Sequence, residues 1–252
     1  RRPKQADESA IAYLRPPFTP WAQRDPDMIE AAAALAEKRA ISRQAQEAFA
    51  VASHAKAYGR AFEGEIIDIN GVTRDAFTRR LSAALAGRMP PLVDGLNAPT
   101  AATTAVEADA CAAVLVVSPR LAAELKPRAS VVILGSQRLG SDPEQPALAP
   151  IPAAQKLLQR CGMAASDLAC VELMEAFAVQ ALVFIEALGL QDSQVNVKGG
   201  ALARGHPIGA SGAVLITRLW HELIASGGTG LAAIAGAGGL GSAMLLQKEV
   251  CA

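Results

Sequence analysis

The chain has 252 residues, with 24 Lys and Arg against 24 Asp and Glu and a formal net charge of zero. That balance gives no electrostatic footprint for nucleic acid or an anionic membrane surface, and no uncharged apolar run reaches the roughly 18 residues of a membrane span. Hydrophobic residues make up 51% and aromatics only 4%, so a core of Ala, Leu, Val and Ile is expected, in one large or two modest domains.

The opening segment "YLRPPFTPWAQRDP", with four prolines in 14 residues, reads as ordered loop. "DPDMIEAAAALAEK" predicts a helix capped by Asp25 or Asp27 and ending near Lys38. A second helix follows from a Ser42 cap, with Gln44 and Glu47 in its first turns. "GEIIDI" has the pattern of a short strand and "TRDAFTRRLSAALAG" that of an amphipathic helix. From residue 108 strands and helices alternate. "DACAAVLVVS" is a strand, "PRLAAEL" a helix, "ASVVILGSQRLG" a strand, and "IPAAQKLLQRCGM" a helix opened near Pro152. "ACVELME" is a strand and "AFAVQALVFIEALGL" a helix. A further helix is expected from Gly205 to about Ala225, and "TGLAAIAGAGG" with "GSAMLLQKE" forms a closing antiparallel hairpin. The alternation predicts an α/β fold with a parallel sheet. The helices over 177–190 and 210–224 are apolar on nearly every side, which predicts cover from a layer outside this chain.

Cys111, Cys161, Cys170 and Cys251 show no CxxC or metal-type spacing, and each lies in or beside an apolar run. They read as buried, reduced thiols of a cytoplasmic protein, with no metal site. No leader-type segment opens the sequence. It starts on Arg rather than Met, as a processed or trimmed chain would.

The chemistry concentrates in "NVKGGALARGHPIGASGA". Gly199 and Gly200 close a strand, Gly205 and Gly209 flank His206-Pro207, and Pro207 suits a first helical turn. Gly212, inside a helix, predicts close packing against another element. His206 is therefore expected at a helix N-terminus, where the dipole disfavours the imidazolium. A neutral imidazole there can act as a base toward a thiol or hydroxyl, or donate to a developing oxyanion; the other reading is a capping or core histidine. His54 and His221 read as solvated helix positions. The segment lacks GxGxxG and GxxxxGK[ST], so nucleotide-binding loops do not fit.

This segment resembles the thiolase signature, an Asn-x-x-Gly-Gly run leading to Gly-His-Pro-x-Gly-x-Ser-Gly. "ELMEAFAVQAL" resembles the family's Asn-Glu-Ala-Phe-Ala segment, and "TAATTAVEADACAAVLVVS" its Thr-Ala-x-Asn stretch before a strand. "GLAAIAGAGGLGSAMLLQ" resembles its C-terminal Cys-x-Gly-Gly-Gly hairpin, and "ISRQAQEAFAVASHAKA" a helix of its loop domain. The resemblance implies a thiolase-like fold: a loop domain over 1–104 and the C-terminal α/β half over 105–252, with the N-terminal half absent from this chain. It also implies acyl transfer, or making and breaking of carbon–carbon bonds, on CoA thioesters in fatty-acid or polyketide-type metabolism. The CoA thioester is the substrate, with no covalently bound cofactor.

By the same resemblance, His206 activates a nucleophilic cysteine carried by the missing half or a partner chain. Ala105, Ala176, Phe177 and Ile208 line the acyl and pantetheine tunnel, and Arg1, Arg2, Lys4 and Arg15 are available to the 3′-phosphate. A homo- or hetero-oligomer is expected. Ala235 stands where the family has a second cysteine and Met174 where it has asparagine; Thr103 and Ala105 replace Asn and Ser near the pantetheine. These departures open the other reading, a catalytically degenerate subunit with a structural, regulatory or acyl-binding role.

Overall fold

The computed structural model describes residues 17–60 and 64–249. Arg1, Arg2, Lys4, Arg15 and Cys251 lie outside the described residues. Helix α1 (Met28–Lys38) starts at Asp27, whose carboxylate accepts from Ile29 N at 2.8 Å while Glu30 accepts from Asp27 N at 3.1 Å, a reciprocal cap. Asp25 instead accepts from the amides of Phe18 and Thr19, both at 2.9 Å. Helix α2 (Arg43–Ala57) is capped by Ser42, whose hydroxyl accepts from Ala45 N at 3.1 Å.

The next stretch departs from its local pattern. Residues 64–69 form no strand; Ile69 pairs only with Val72 across an Asn70-Gly71 turn, both turn residues having positive φ. Of the helix expected over 73–87, only α3 (Ala83–Ala86) forms. Residues 73–82 run over α2 and a short later helix, α7 (Ala201–Arg204), where tertiary partners take their polar groups. Thr78 Oγ1 donates to Ala203 O at 2.9 Å and Arg79 N to His54 Nδ1 at 3.4 Å. Such bonds outweigh a helix propensity worth tenths of a kcal/mol per residue.

The remaining elements are α4 (Pro119–Leu125), β1 (Val131–Gly140), α5 (Pro150–Arg160), β2 (Leu168–Leu173), α6 (Ala178–Leu188), α8 (Ser211–Ser226), β3 (Thr229–Gly236) and β4 (Leu240–Lys248). The sheet order is β1-β4-β3-β2. Only β2 and β3 pair in parallel; β4 is antiparallel to both β3 and β1, so the sheet is mixed, with the hairpin's second strand inserted in its middle. The strand expected over 109–118 is absent: those residues lie outside the sheet, with Val114, Leu115 and Val116 exposed. An alternating apolar run becomes a strand only where a neighbour supplies hydrogen bonds and a surface to cover, and none of the described strands pairs with it. Cys111 in this run is exposed, Cys161 half-buried and Cys170 buried, so the uniform burial expected of the thiols does not hold.

The sheet buries two faces. Leu231 and Ala233 of β3 pack with Leu157, Phe184 and Leu245 under α5 and α6, while Ala232 packs with Leu215, Leu219 and Leu246 under α8. Cover for the apolar α6 comes from within the chain: Val179 and Val183 pack against Ala32, Leu35 and Ala36 of α1, and Ala178 against Ala50 of α2. The outside layer predicted for that helix is not needed. On α8, a Cβ at Gly212 would meet nothing within 4 Å, so the close contact expected there is not made among the described residues.

Between β2, α8 and the loop after α2 lies a buried ion triad. Arg218 Nε donates to Glu172 Oε2 at 3.0 Å and Nη1 to Glu65 Oε1 at 2.8 Å, with the three side chains 4%, 1% and 7% exposed. Burial pushes the Glu172 carboxyl up, and Arg218 opposes that rise. Removing one partner of such a group leaves uncompensated buried charge. Arg218→Met is therefore expected to destabilise the chain by about 3–5 kcal/mol, read as a lower midpoint in urea. Combining it with Glu172→Gln is expected to recover part of that loss.

Candidate active site

The site forms where the parallel strands β2 and β3 end. Leu173 and Ala233 are paired, and the next residue on β2, Met174, donates its amide to Ala233 O at 3.0 Å. Met174 is 3% exposed and packs with Ala105, Ala201, Leu215 and Ile234. Ala235 follows Ile234 on β3, opposite Gly241, and is half-buried. Ligand sites in open α/β folds lie beyond the carboxyl ends of such strands.

Residues 103–107 link the two motif segments. Ala178 N donates to Thr103 O and Ala105 N to Ala176 O, both at 2.9 Å, and Thr104 pairs with Phe177. Further along, His206 N donates to Val106 O at 2.7 Å, and Glu107 pairs with His206. Ala105, Ala176, Phe177 and His206 are thus brought onto one backbone spine. Ile208 follows two residues later and is 71% exposed.

His206 does not open a helix. Helix α8 begins only at Ser211, and Pro207 and Ile208 precede it in a turn, with Pro207 O accepting from Ala210 N at 2.8 Å and Ser211 N at 2.9 Å. The α8 dipole therefore does not set the charge of the ring, since its effect fades beyond the first turn. Burial instead lowers the His206 pKa and keeps the ring neutral. His206 Nδ1 lies 2.7 Å from Ser211 Oγ. Gly205 makes the turn into His206: it has φ +101°, and a Cβ there would come within 2.7 Å of Ala108 Cβ.

Beneath the spine is a buried polar knot that motif reading did not single out. Glu175, 1% exposed, accepts from Ser53 Oγ at 2.8 Å, Asn196 Nδ2 at 2.5 Å and Leu202 N at 3.3 Å. Asn196 also bonds both the N and O of Leu173, at 2.8 and 2.9 Å. Ser53 Oγ accepts from Gly200 N at 3.0 Å. Burial pushes the Glu175 carboxyl up, and the bonds from Asn196, Ser53 and Leu202 pull it back. Gly199 has φ +78°, and a Cβ there would collide with Ser53 O and Ala57 Cβ, so this turn must be glycine for α2 to lie so close. The signal for the knot was a carboxylate in the apolar run "VELMEAF" and an asparagine just before Gly-Gly.

His54, expected to be solvated, is 1% exposed. It faces the 77–79 segment, with Phe77 at a ring-centroid distance of 5.7 Å. Burial, helped by Arg79, pushes its pKa down to about 4. His221 is half-buried beside Trp220. Cys170 is buried, and burial pushes its thiol up to about 12, which suppresses the thiolate. Among the described residues no group of His, Cys, Asp or Glu could hold a metal ion, and no helix is long and apolar enough to cross a membrane.

Residues 125–248 match the family model "Thiolase, C-terminal domain". The chain is 37% identical over 239 residues to "Putative acetyl-CoA C-acetyltransferase YhfS" of Bacillus subtilis (strain 168), covering 91% of this chain and 66% of the relative. It is 32% identical over 264 residues to "Putative acetyl-CoA C-acetyltransferase VraB" of Staphylococcus aureus (strain MRSA252), covering 98% and 67%. Its structure matches the Acat5 thiolase of Ascaris suum, solved in complex with coenzyme A, with a TM-score of 0.81 at 31% identity over 90% of this chain and 62% of that one. The chain therefore spans about two thirds of the length of the proteins it matches.

Two outcomes follow from the geometry around the spine. Gly205→Ala is expected to cost about 1–3 kcal/mol through its positive φ and the contact with Ala108, read by urea denaturation. His54 is neutral in the fold but takes up a proton below pH 6.5 once unfolded, so the stability it supports falls as pH drops from 6.5 towards 4. Relative to His54→Gln, the parent is expected to lose up to about 3 kcal/mol across that window. A parallel pH dependence in the two proteins would contradict this.

Proposed function

The chain belongs to the thiolase superfamily, and from that premise we propose that it is the C-terminal part of a thiolase-type acyl-CoA acyltransferase. The observation that carries the reading is His206: burial keeps its ring neutral, and its backbone is fixed to the spine that also holds Ala105 and Ala176. In this reading residues 1–104 are the loop domain and 105–252 the C-terminal α/β half. A cysteine supplied by the remaining third of the protein, or by a partner chain, lies against His206. The run Val114–Val116 and the exposed Val132, Ile133 and Leu134 of β1 are apolar surface for that segment or partner to cover.

The chemistry assigned to His206 is proton transfer. The imidazole takes the thiol proton as the cysteine sulfur attacks the thioester carbonyl, and the imidazolium returns that proton to the departing CoA thiolate. The acyl group then resides on the cysteine until a second nucleophile takes it. Apolar walls at Ala105, Ala176, Phe177 and Ile208 suit an acyl–pantetheine chain. Ala235 cannot carry a proton and Met174 cannot hold a water, so Claisen-type condensation, which needs an α-proton removed, is less well served than acyl transfer itself.

Those two positions also favour a second reading, a degenerate subunit that binds acyl groups or supports a competent partner. The full-length protein discriminates. His206→Ala is expected to lower acyl exchange between acetyl-CoA and labelled CoA by about 10²–10⁴-fold, with an acyl-cysteine adduct visible by denaturing mass spectrometry in the parent only. Unchanged exchange in His206→Ala would remove the catalytic reading and leave the supporting role.

A further inference from the structure

Resting on the reading of His206 as the working base, we propose that Ser211 is its positioning residue: its hydroxyl is a two-position rotor that keeps Nδ1 hydrogen-bonded in every protonation state of the ring. Ser211 Oγ lies 2.7 Å from His206 Nδ1 and 3.0 Å from Pro207 O. The side chain is 2% exposed, so water does not compete for these bonds. A hydroxyl has one hydrogen and can both donate and accept. When that hydrogen points to Pro207 O, Oγ accepts from Nδ1–H, and Nε2 carries a bare lone pair. When it points to Nδ1, the ring carries its hydrogen on Nε2 and can donate there. Pro207 O tolerates either setting, because the amides of Ala210 and Ser211 already donate to it.

The first setting also serves the imidazolium, whose Nδ1–H needs an acceptor. One residue thus lets Nε2 be a base in one step and a hydrogen-bond donor in another, without the ring moving. The backbone side is fixed independently by the bond from His206 N to Val106 O and the pairing with Glu107, whose own side chain is exposed. A serine at this place, with its oxygen between a ring nitrogen and a backbone carbonyl four residues back, is also compatible with helix geometry, since serine hydroxyls commonly bond the carbonyl at i−4.

The test uses full-length protein labelled with ¹⁵N-histidine. Ser211→Ala removes the acceptor, so the His206 imidazolium is expected to be less stable and its titration midpoint to fall by roughly one pH unit. Ser211→Thr keeps the hydroxyl and is expected to restore the midpoint. Acyl exchange in Ser211→Ala is expected to fall about tenfold in kcat with KM unchanged, and the acid limb of its pH profile to move with the midpoint. An unchanged His206 midpoint and an unchanged Nδ1 signal in a folded Ser211→Ala protein would overturn the proposal. If Ser211→Ala does not fold, an Nδ1 signal in Ser211→Thr and parent that shows no hydrogen bond would overturn it equally. The midpoint is read without turnover. A moved midpoint with exchange unaffected by His206→Ala would retain the His206–Ser211 pairing while rejecting the function it was assumed to serve.

Discussion

Everything around His206 depends on a single buried carboxylate being fully satisfied. Glu175 follows the end of β2, and its three donors come from α2, from the turn before Gly199 and from α7. An unpaired carboxylate at that depth would cost several kcal/mol or refuse to ionise. Each donor is therefore held where the carboxylate needs it, and with it a different stretch of chain. Ser53 brings α2 down onto the glycine turn, Asn196 stitches that turn to Leu173, and Leu202 anchors the short helix from which the chain turns into His206. The polar groups do not contact the proposed chemistry; they set the distance between the segments that do.

How much of this was legible in sequence differs from element to element. Helices α1 and α2 were, because their caps are local: Asp27 and Ser42 bond amides two and three residues on. The strand after α4, the helix after it and the closing hairpin were legible by period. Residues 73–82 were not, since their amphipathic pattern is real but their partners, Ala203 and His54, are distant in sequence. His54 misread for the same reason, its burial being made by a segment more than twenty residues away. The sheet's direction was half legible: alternation predicts co-oriented β1, β2 and β3 but says nothing of where an antiparallel β4 inserts.

Ala105, Ala176, Phe177 and His206, far apart in sequence, meet on one backbone spine, but the local backbone around His206 differs from the one its sequence predicts. Pro207 suggested a helix starting at once, yet Gly205 and the turn at Pro207 delay it to Ser211. His206 is consequently neutral because it is buried, not because of a dipole, and its orientation comes from one hydroxyl and one strand-like pairing. Met174 and Ala235 lie at neighbouring strand ends, Met174 packed in an apolar cluster and Ala235 half-buried opposite Gly241.

The insertion of β4 between β3 and β1 has a consequence for assembly. Residues 131–140 can join the sheet only through residues 240–248, about a hundred positions later in the chain. During synthesis β1 and its helix must wait, unpaired, until that late strand emerges and threads between them and β3. The sheet is closed from its middle rather than extended from an edge. Loss of the final strand would split it into two pieces that share no hydrogen bond, so the fold's integrity hangs on sequence far from the residues proposed to do its chemistry.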